Sequence, residues 1–551
     1  MGDGSGGGGT AGARRGGVEV HRYASLALAT LLFVLFLTFL DNTIVTVVLA
    51  NVQSDLHASV NQLQWVVNGY ALTFAGLMLS FGTVGDLFGR KKVMLAGVVV
   101  FCAGSVIAAV APDTDILIVG RVVMGVGAAA SEPGTLSMIR HLYPARGARA
   151  RALGVWAAVS SLGLALGPLI GSLLVYGWSW RAIFWFNVFF GAMAFVSAAI
   201  VLPESADPVR GGFDFGGFLL SALALGSLTF AVILGESHGY RTWWIEGLFL
   251  FALVAIVGFV FTELHVKNPV LNVRYFARPA FAGTNIIAFT VYFGTFAIFF
   301  MVALYLQVVG SNSPLHLALD FVPLAVGMVA ASLVAGRWVA AWGPKIPMAV
   351  GCLAAGVGIL LTNMMISPHA GIGQIGWTMF LAGAGVGTAM VPVTSAALGS
   401  VPAEHSGMAS STTNTFRELG AVVGVAVLGS IINGQLTVNL VTKLTAIGIP
   451  KSYQSLVISA VTTGTYQGEA QAAVAKNHAI AHIVNEVVSA AYGAFANGLH
   501  LSLNIAAGLL FGSTVLALAT VYGRRVHVER VRSSDGHPLH FSLEGRPAEL
   551  S

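Results

Sequence analysis

Five ionisable side chains stand inside stretches otherwise apolar enough to cross a bilayer: Asp41, Arg121, Glu132, Arg417 and Glu418. A charge at the middle of a membrane costs about 2.5–3.5 kcal/mol on insertion scales, so each is a functional-site candidate that needs a partner. Asp41, in "LTFLDNTIVTVVLAN", is a carboxylate that can bind and release a proton within the membrane. Arg121, in "GRVVMGVGAAASEPGTLSMIR", is a cation at matching depth. At 1.5 Å per residue, both lie roughly 10–14 Å from the outer ends of their helices. Two charges that must both be desolvated offset each other's cost if they meet, so Asp41 and Arg121 are expected to be neighbours.

Glu132 comes eleven residues after Arg121. That is about 1,100° of helical rotation and some 16 Å along the axis, so both should point into one cavity. Pro133 beside it frees the carbonyl of Ala129 and allows a kink or a polar pocket. Glu132 is then a second proton site or a group that meets charge on a substrate; the alternative is a carboxyl kept neutral by hydrogen bonds. Arg417 and Glu418 are consecutive, about 100° apart on a helix, and cannot easily pair with each other. They suit a gate between two halves of a transporter, or neutralisation by other partners.

Glycine-rich segments must position these groups. In "GTVGDLFGRKK", Gly82 and Gly89 permit a tight turn between two helices, and Arg90 and Lys91 hold the loop inside. Asp86 there can face the positive N-terminus of a neighbouring helix; the plainer reading is that the basic residues only set topology. In "GVWAAVSSLGLALGPLIGSLL", Gly154, Gly163, Gly167 and Gly171 allow close helix approach and Pro168 bends the helix.

The elements around them are transmembrane helices. Only 9% of the 551 residues are charged and 56% are hydrophobic, against about 25% charged in soluble domains. Fourteen apolar stretches of about 17–25 residues can be drawn. With both termini cytoplasmic, 21 of the 28 Lys and Arg lie in cytoplasmic segments and 5 outside, an asymmetry that fixes the orientation. The expected organisation is a disordered tail at 1–24, a six-helix bundle at 25–202 and two inserted helices with flanking loops at 203–280. A second six-helix bundle at 281–522 follows, with an extracytoplasmic loop at 434–497, and then a cytoplasmic tail at 523–551. The loop mixes apolar and polar residues at near-helical spacing, which suggests amphipathic helices at the outer interface. It is a covering loop or a substrate lid. Cys102 and Cys352 both fall inside apolar runs and imply neither a disulfide nor a function.

A repeat joins the two halves. "GTVGDLFGRK" (82–91) and "GRWVAAWGPK" (336–345) share Gly, Gly and Lys at an offset of 254 residues. Duplicated halves with a site between them are a transporter architecture.

Together these segments resemble the major facilitator superfamily, and within it the fourteen-spanner drug:proton antiporters, over residues 25–522. "LDNTIVTVVL" is similar to the family's first-span motif and "GTVGDLFGRKK" to its cytoplasmic loop motif. "GRVVMGVGAA" is similar to the fourth-span motif, whose arginine is linked in the family to proton transfer. The glycine and proline pattern of the fifth span resembles the motif that marks antiporters. Ser172 stands where the family has a final glycine. Glu132 and Glu418 are acids where it more usually has uncharged residues. The resemblance implies an all-α fold of two six-helix bundles and two inserted helices, working by alternating access.

ATP-driven transport is not expected, because none of the seven lysines lies in a G-x-x-x-x-G-K-[ST] loop. No metal-ligand or nucleophile constellation is evident, so neither an enzyme nor a cofactor is expected. The expected function is proton-coupled export of lipophilic, cationic drugs or toxic compounds. Asp41, Arg121 and Glu132 would be the proton-coupling residues, in a monomer of a bacterial plasma membrane with no nucleic-acid partner. A narrow exporter of an endogenous antibiotic, metabolite or lipid, or a nutrient symporter, are the rival readings.

Overall fold

Fourteen helices long and apolar enough to span a membrane make up most of the computed structural model, which describes residues 9–58, 60–205, 214–267, 269–308, 319–367, 370–402, 405–446 and 478–521. The spans are α1 (Tyr23–Val48), α2 (Gln62–Phe88), α3 (Arg90–Ala109), α4 (Thr114–Leu142), α5 (Arg146–Gly177), α6 (Arg181–Val201) and α7 (Phe215–Gly235). They continue as α8 (Trp243–His265), α9 (Pro279–Val302), α10 (Val322–Trp342), α11 (Lys345–Met365), α12 (Ile372–Gly399), α13 (Ser406–Ile432) and α14 (Gly493–Thr520). Helix is the form that satisfies every backbone group within one segment, as lipid requires.

Helices α1–α6 pack mainly among themselves, and so do α9–α14. Helix α7 lies against α2 and α13, where Ser80 and Ser221 hydroxyls are 2.7 Å apart. Helix α8 packs on α7 and exposes Leu250, Leu253, Val254, Val257 and Phe261, an apolar face suited to lipid.

The sequence repeat has a structural counterpart. Gly89 and Gly343 occupy equivalent turns with φ of +108° and +80°, a conformation that L side chains resist. Seven residues before each, a glycine sits at the seam between bundles. A Cβ on Gly82 would fall 2.3 Å from Ser411 of α13, and one on Gly336 would fall 2.7 Å from the Ala150 carbonyl of α5. The α2–α13 contact thus repeats as α10–α5. All these contacts lie at the end that carries the 82–91 loop, here called the basic end.

Three segments differ from expectation. The first helix begins at Gly9, so residues 9–22 continue a helix where composition suggests disorder. The helix of α13 runs on to Ala446 and that of α14 starts at His478, so both ends of the supposed 434–497 loop extend membrane helices. No proline interrupts either extension, and each adds intrahelical hydrogen bonds to a helix already nucleated. The rest of that loop and the tail at 523–551 lie outside the described residues.

Candidate functional site

Asp41 sits in the last α-helical turn of α1, just before a 3₁₀ turn at Val45–Val48. Arg121 lies in the second turn of α4 and donates through Nη1 to Asp41 Oδ2 at 2.6 Å. Its Nε donates to the Val66 carbonyl of α2 at 3.0 Å, and its guanidinium lies 4.4 Å from the Tyr70 ring centroid. From α6, Asn187 Nδ2 donates to the other carboxylate oxygen of Asp41 at 2.7 Å. Gly125 brings α4 against α2: a Cβ there would sit 2.0 Å from Thr73 Oγ1. That close approach places Tyr70 on Arg121. The four groups come from one bundle and are fully enclosed.

Glu132 hydrogen-bonds with a different set of residues from Arg121. Those 16 Å of helix carry α4 from its contact with α1 to its contact with α13. Glu132 Oε1 accepts from Asn414 Nδ2 of the second bundle at 3.1 Å, and Oε2 has no partner. Asn414 Oδ1 accepts from Arg417 Nη1 at 2.9 Å, and Arg417 Nη2 donates to Thr394 Oγ1 of α12. The Arg417 guanidinium lies 5.3 Å from the Trp156 ring of α5 and 5.6 Å from the Tyr292 ring of α9. Glu418 is buried next to this group. Both bundles therefore contribute to one enclosed polar cluster.

Residues 82–91, expected as a loop, are the end of α2, a turn at Gly89 and the start of α3, and they close the basic end. Arg90 Nε donates to Asp86 Oδ1 at 2.8 Å, and Arg90 Nη2 to Ser406 Oγ at 3.1 Å. Asp86 Oδ2 accepts from the Met408 N–H at 3.1 Å, so a carboxylate faces the positive N-terminus of α13. Gly407 makes room for it, since a Cβ there would be 2.2 Å from Asp86 Oδ1. Lys91 Nζ donates to the Ala199 and Leu202 carbonyls at the end of α6, and Glu204 accepts from the Lys91 N–H. Arg140 adds a second strap, donating to the Leu398 and Val401 carbonyls across the seam.

The fifth-span glycines serve two surfaces. A Cβ on Gly163, Gly167 or Gly171 would collide with Phe39, Thr43 or Val47 of α1, whereas one on Gly154 would meet the Ser332 carbonyl of α10 at 2.8 Å. Pro168 lies within the continuous helix, and Ser172 donates to its carbonyl.

Two bundles with an acid–arginine pair buried in one of them and a polar cluster between them define a membrane transporter of the facilitator type. The chain belongs to the Major Facilitator Superfamily, whose family model matches residues 31–425. Its relatives are drug efflux pumps. It is 30% identical over 512 residues to the multidrug resistance protein Stp of Mycobacterium tuberculosis, covering 93% of this chain and 94% of that one. It is 32% identical over 490 residues to the drug efflux pump JefA of the same organism, covering 88% and 95%. The tetracenomycin C resistance and export protein of Streptomyces glaucescens is 27% identical, covering 92% and 93%. In fold it matches the proton:xylose symporter XylE with a TM-score of 0.59 at 13% identity, covering 91% of this chain and 97% of that one. This is a multi-pass transporter of the drug efflux type and not an enzyme.

Asn187, Tyr70, Asn414, Thr394, Trp156, Tyr292 and Arg140 escaped the sequence reading. Arg140, the first of four arginines between 140 and 151, carried only a topology signal. Neutral polar and aromatic residues are common in membrane helices and carry none.

Proposed function

We propose that this protein exports lipophilic cationic compounds in exchange for protons by alternating access, with both termini cytoplasmic and the basic end facing the cytoplasm. The observation that carries the reading is the enclosed Asp41–Arg121 pair. Protonation of Asp41 removes the charge that Arg121 holds, while Val66 and Tyr70 keep Arg121 placed. A carboxylate that loses its charge without losing its surroundings suits a reversible proton site. One proton exchanged for one monovalent cation moves no net charge, so the pH difference alone drives the exchange, and each pH unit, about 1.4 kcal/mol, raises the cargo about tenfold against its gradient. The ties at the basic end, from Asp86 to α13 and from Arg140 to α12, would hold one side shut while the other is open. In this reading Glu132 meets the positive charge of the cargo, and the Arg417–Glu418 segment belongs to the gate between bundles.

A narrower exporter of one antibiotic is the second reading. It is favoured by a relative described as a tetracenomycin C resistance and export protein.

The test uses inverted vesicles containing the protein, a pre-formed proton gradient and a pH-sensitive dye. Addition of lipophilic cations should release protons, and Asp41→Asn should abolish that release. Unchanged release in the variant would remove Asp41 from the coupling.

A further inference from the structure

The cluster between the bundles has an unusual balance. Arg417 is buried, yet among the described residues no carboxylate lies within ion-pair distance of it. Glu132 is equally buried, and one of its oxygens has no hydrogen bond. The two ionisable groups are held apart by the side-chain amide of Asn414, which donates to Glu132 on one side and accepts from Arg417 on the other. Opposite charges taken out of water offset their desolvation cost best in direct contact, and here they do not touch. Trp156 and Tyr292 present aromatic faces to the same guanidinium, and the Tyr292 hydroxyl is also unpartnered.

We propose that the cluster is the recognition site for an amphoteric aromatic cargo, with an acidic oxygen binding Arg417, a basic nitrogen binding Glu132, and a flat body between Trp156 and Tyr292. This deepens the proposed export reading and rests on it for the cationic end of the cargo. The physical logic lies in the opening of the seam. Glu132 and Trp156 belong to the first bundle, whereas Asn414, Arg417 and Tyr292 belong to the second. When the bundles part, the Glu132–Asn414 hydrogen bond breaks and Arg417 loses the Trp156 ring, while it keeps Asn414, Thr394 and Tyr292 of its own bundle. A molecule carrying the complementary charges replaces those lost contacts, and so favours the open arrangement by its differential affinity. A purely cationic molecule satisfies Glu132 and leaves Arg417 with the neutral Asn414 and Thr394 but no anionic partner. A purely acidic one does the reverse.

The experiment is equilibrium binding to the purified full-length protein in lipid nanodiscs, read by calorimetry. It needs no transport, so its outcome separates from that of proton coupling. The probes are ciprofloxacin, an aromatic amino acid, its ethyl ester with the acid masked, and its N-acetyl derivative with the amine masked. Ciprofloxacin should bind at least 10-fold more tightly than either derivative. Arg417→Gln should reduce ciprofloxacin to the affinity of the ester while leaving binding of the ester within twofold. Glu132→Gln should reduce it to the affinity of the N-acetyl compound. Arg417→Lys, which keeps the charge, should retain part of the preference and guards against a folding defect. Equal binding of all three probes, or no binding of ciprofloxacin, would overturn the proposal. So would an equal loss for acid and ester in a monodisperse Arg417→Gln protein, which would make the arginine a structural latch.

Discussion

Asp41–Arg121 and Glu132–Asn414–Arg417 are both buried acid–arginine arrangements on α4 and its neighbours, but they are built differently. In the first the charges touch at 2.6 Å, every contact comes from α1, α2, α4 and α6, and both carboxylate oxygens are hydrogen-bonded. In the second the charges are separated by an amide, the partners come from two bundles, and one carboxylate oxygen is bare. A self-contained pair survives relative motion of the bundles; a divided one senses it. The first arrangement therefore suits a reversible proton site whose partners stay in place through the cycle, and the second suits a cargo that exchanges with the seam.

The largest effect should come from breaking the self-contained pair. Asparagine cannot exchange a proton at this position, so Asp41→Asn should reduce proton-coupled efflux to background. Dye recovery in vesicles with matched protein levels measures this. Efflux near wild type would erase the distinction between the two clusters.

Gly82→Ala should come next, because its Cβ would sit 2.3 Å from Ser411 and push the bundles apart at the basic end. Transport should fall at least tenfold while binding at the seam persists. Maleimide labelling of a Ser410→Cys reporter should be faster with Gly82→Ala than with Gly82 intact. Equal labelling would mean that the seam accommodates the methyl group.

Glu132→Gln should be selective. It should weaken efflux of cationic compounds by about tenfold, or 1.4 kcal/mol, and leave neutral ones nearly unchanged. Equal loss for both would place Glu132 with Asp41 as a proton or structural group.

The smallest effect is expected at an acid–arginine pair in water. Asp55 accepts from Arg181 at 2.5 Å and from Trp180 at 2.9 Å, and its carboxyl is held below the ordinary range first by the Arg181 hydrogen bond and then by that of Trp180. A depressed carboxyl contributes stability above its ordinary value of 3.8, and the contribution disappears as pH falls through its folded value. Asp55→Asn should lower the thermal midpoint slightly at pH 7, and the gap should close below pH 3.8. A large effect at pH 7, or one that grows with acid, would contradict the role of solvent in separating this pair from Asp41–Arg121.

The sequence made some of this visible for a physical reason. A charge in an apolar run has few explanations, so Asp41, Arg121, Glu132 and Arg417 stood out, and 1.5 Å per residue was enough to align Asp41 with Arg121. Glycines at fixed intervals likewise exposed the repeat and the close-packed α5. Asn187 lies 146 residues from the carboxylate it serves, and Asn414 lies 282 residues from Glu132. Nothing local distinguishes such amides from others. Helical phase assigns Arg121 and Glu132 to one face, but phase does not say which neighbours a helix meets at each depth. The extensions of α13 and α14 were missed because their polar residues break the apolar run without breaking the helix.

The central claim is that cargo and proton move in opposite directions through one cycle, and a cargo gradient alone tests it. Proteoliposomes loaded with a lipophilic cation that the vesicle assay identifies, placed in cation-free buffer at equal pH on both sides, should take up protons as the cation leaves. The interior should acidify with wild-type protein and stay constant with Asp41→Asn. Departure of the cation through wild-type protein with no change in internal pH would contradict the account.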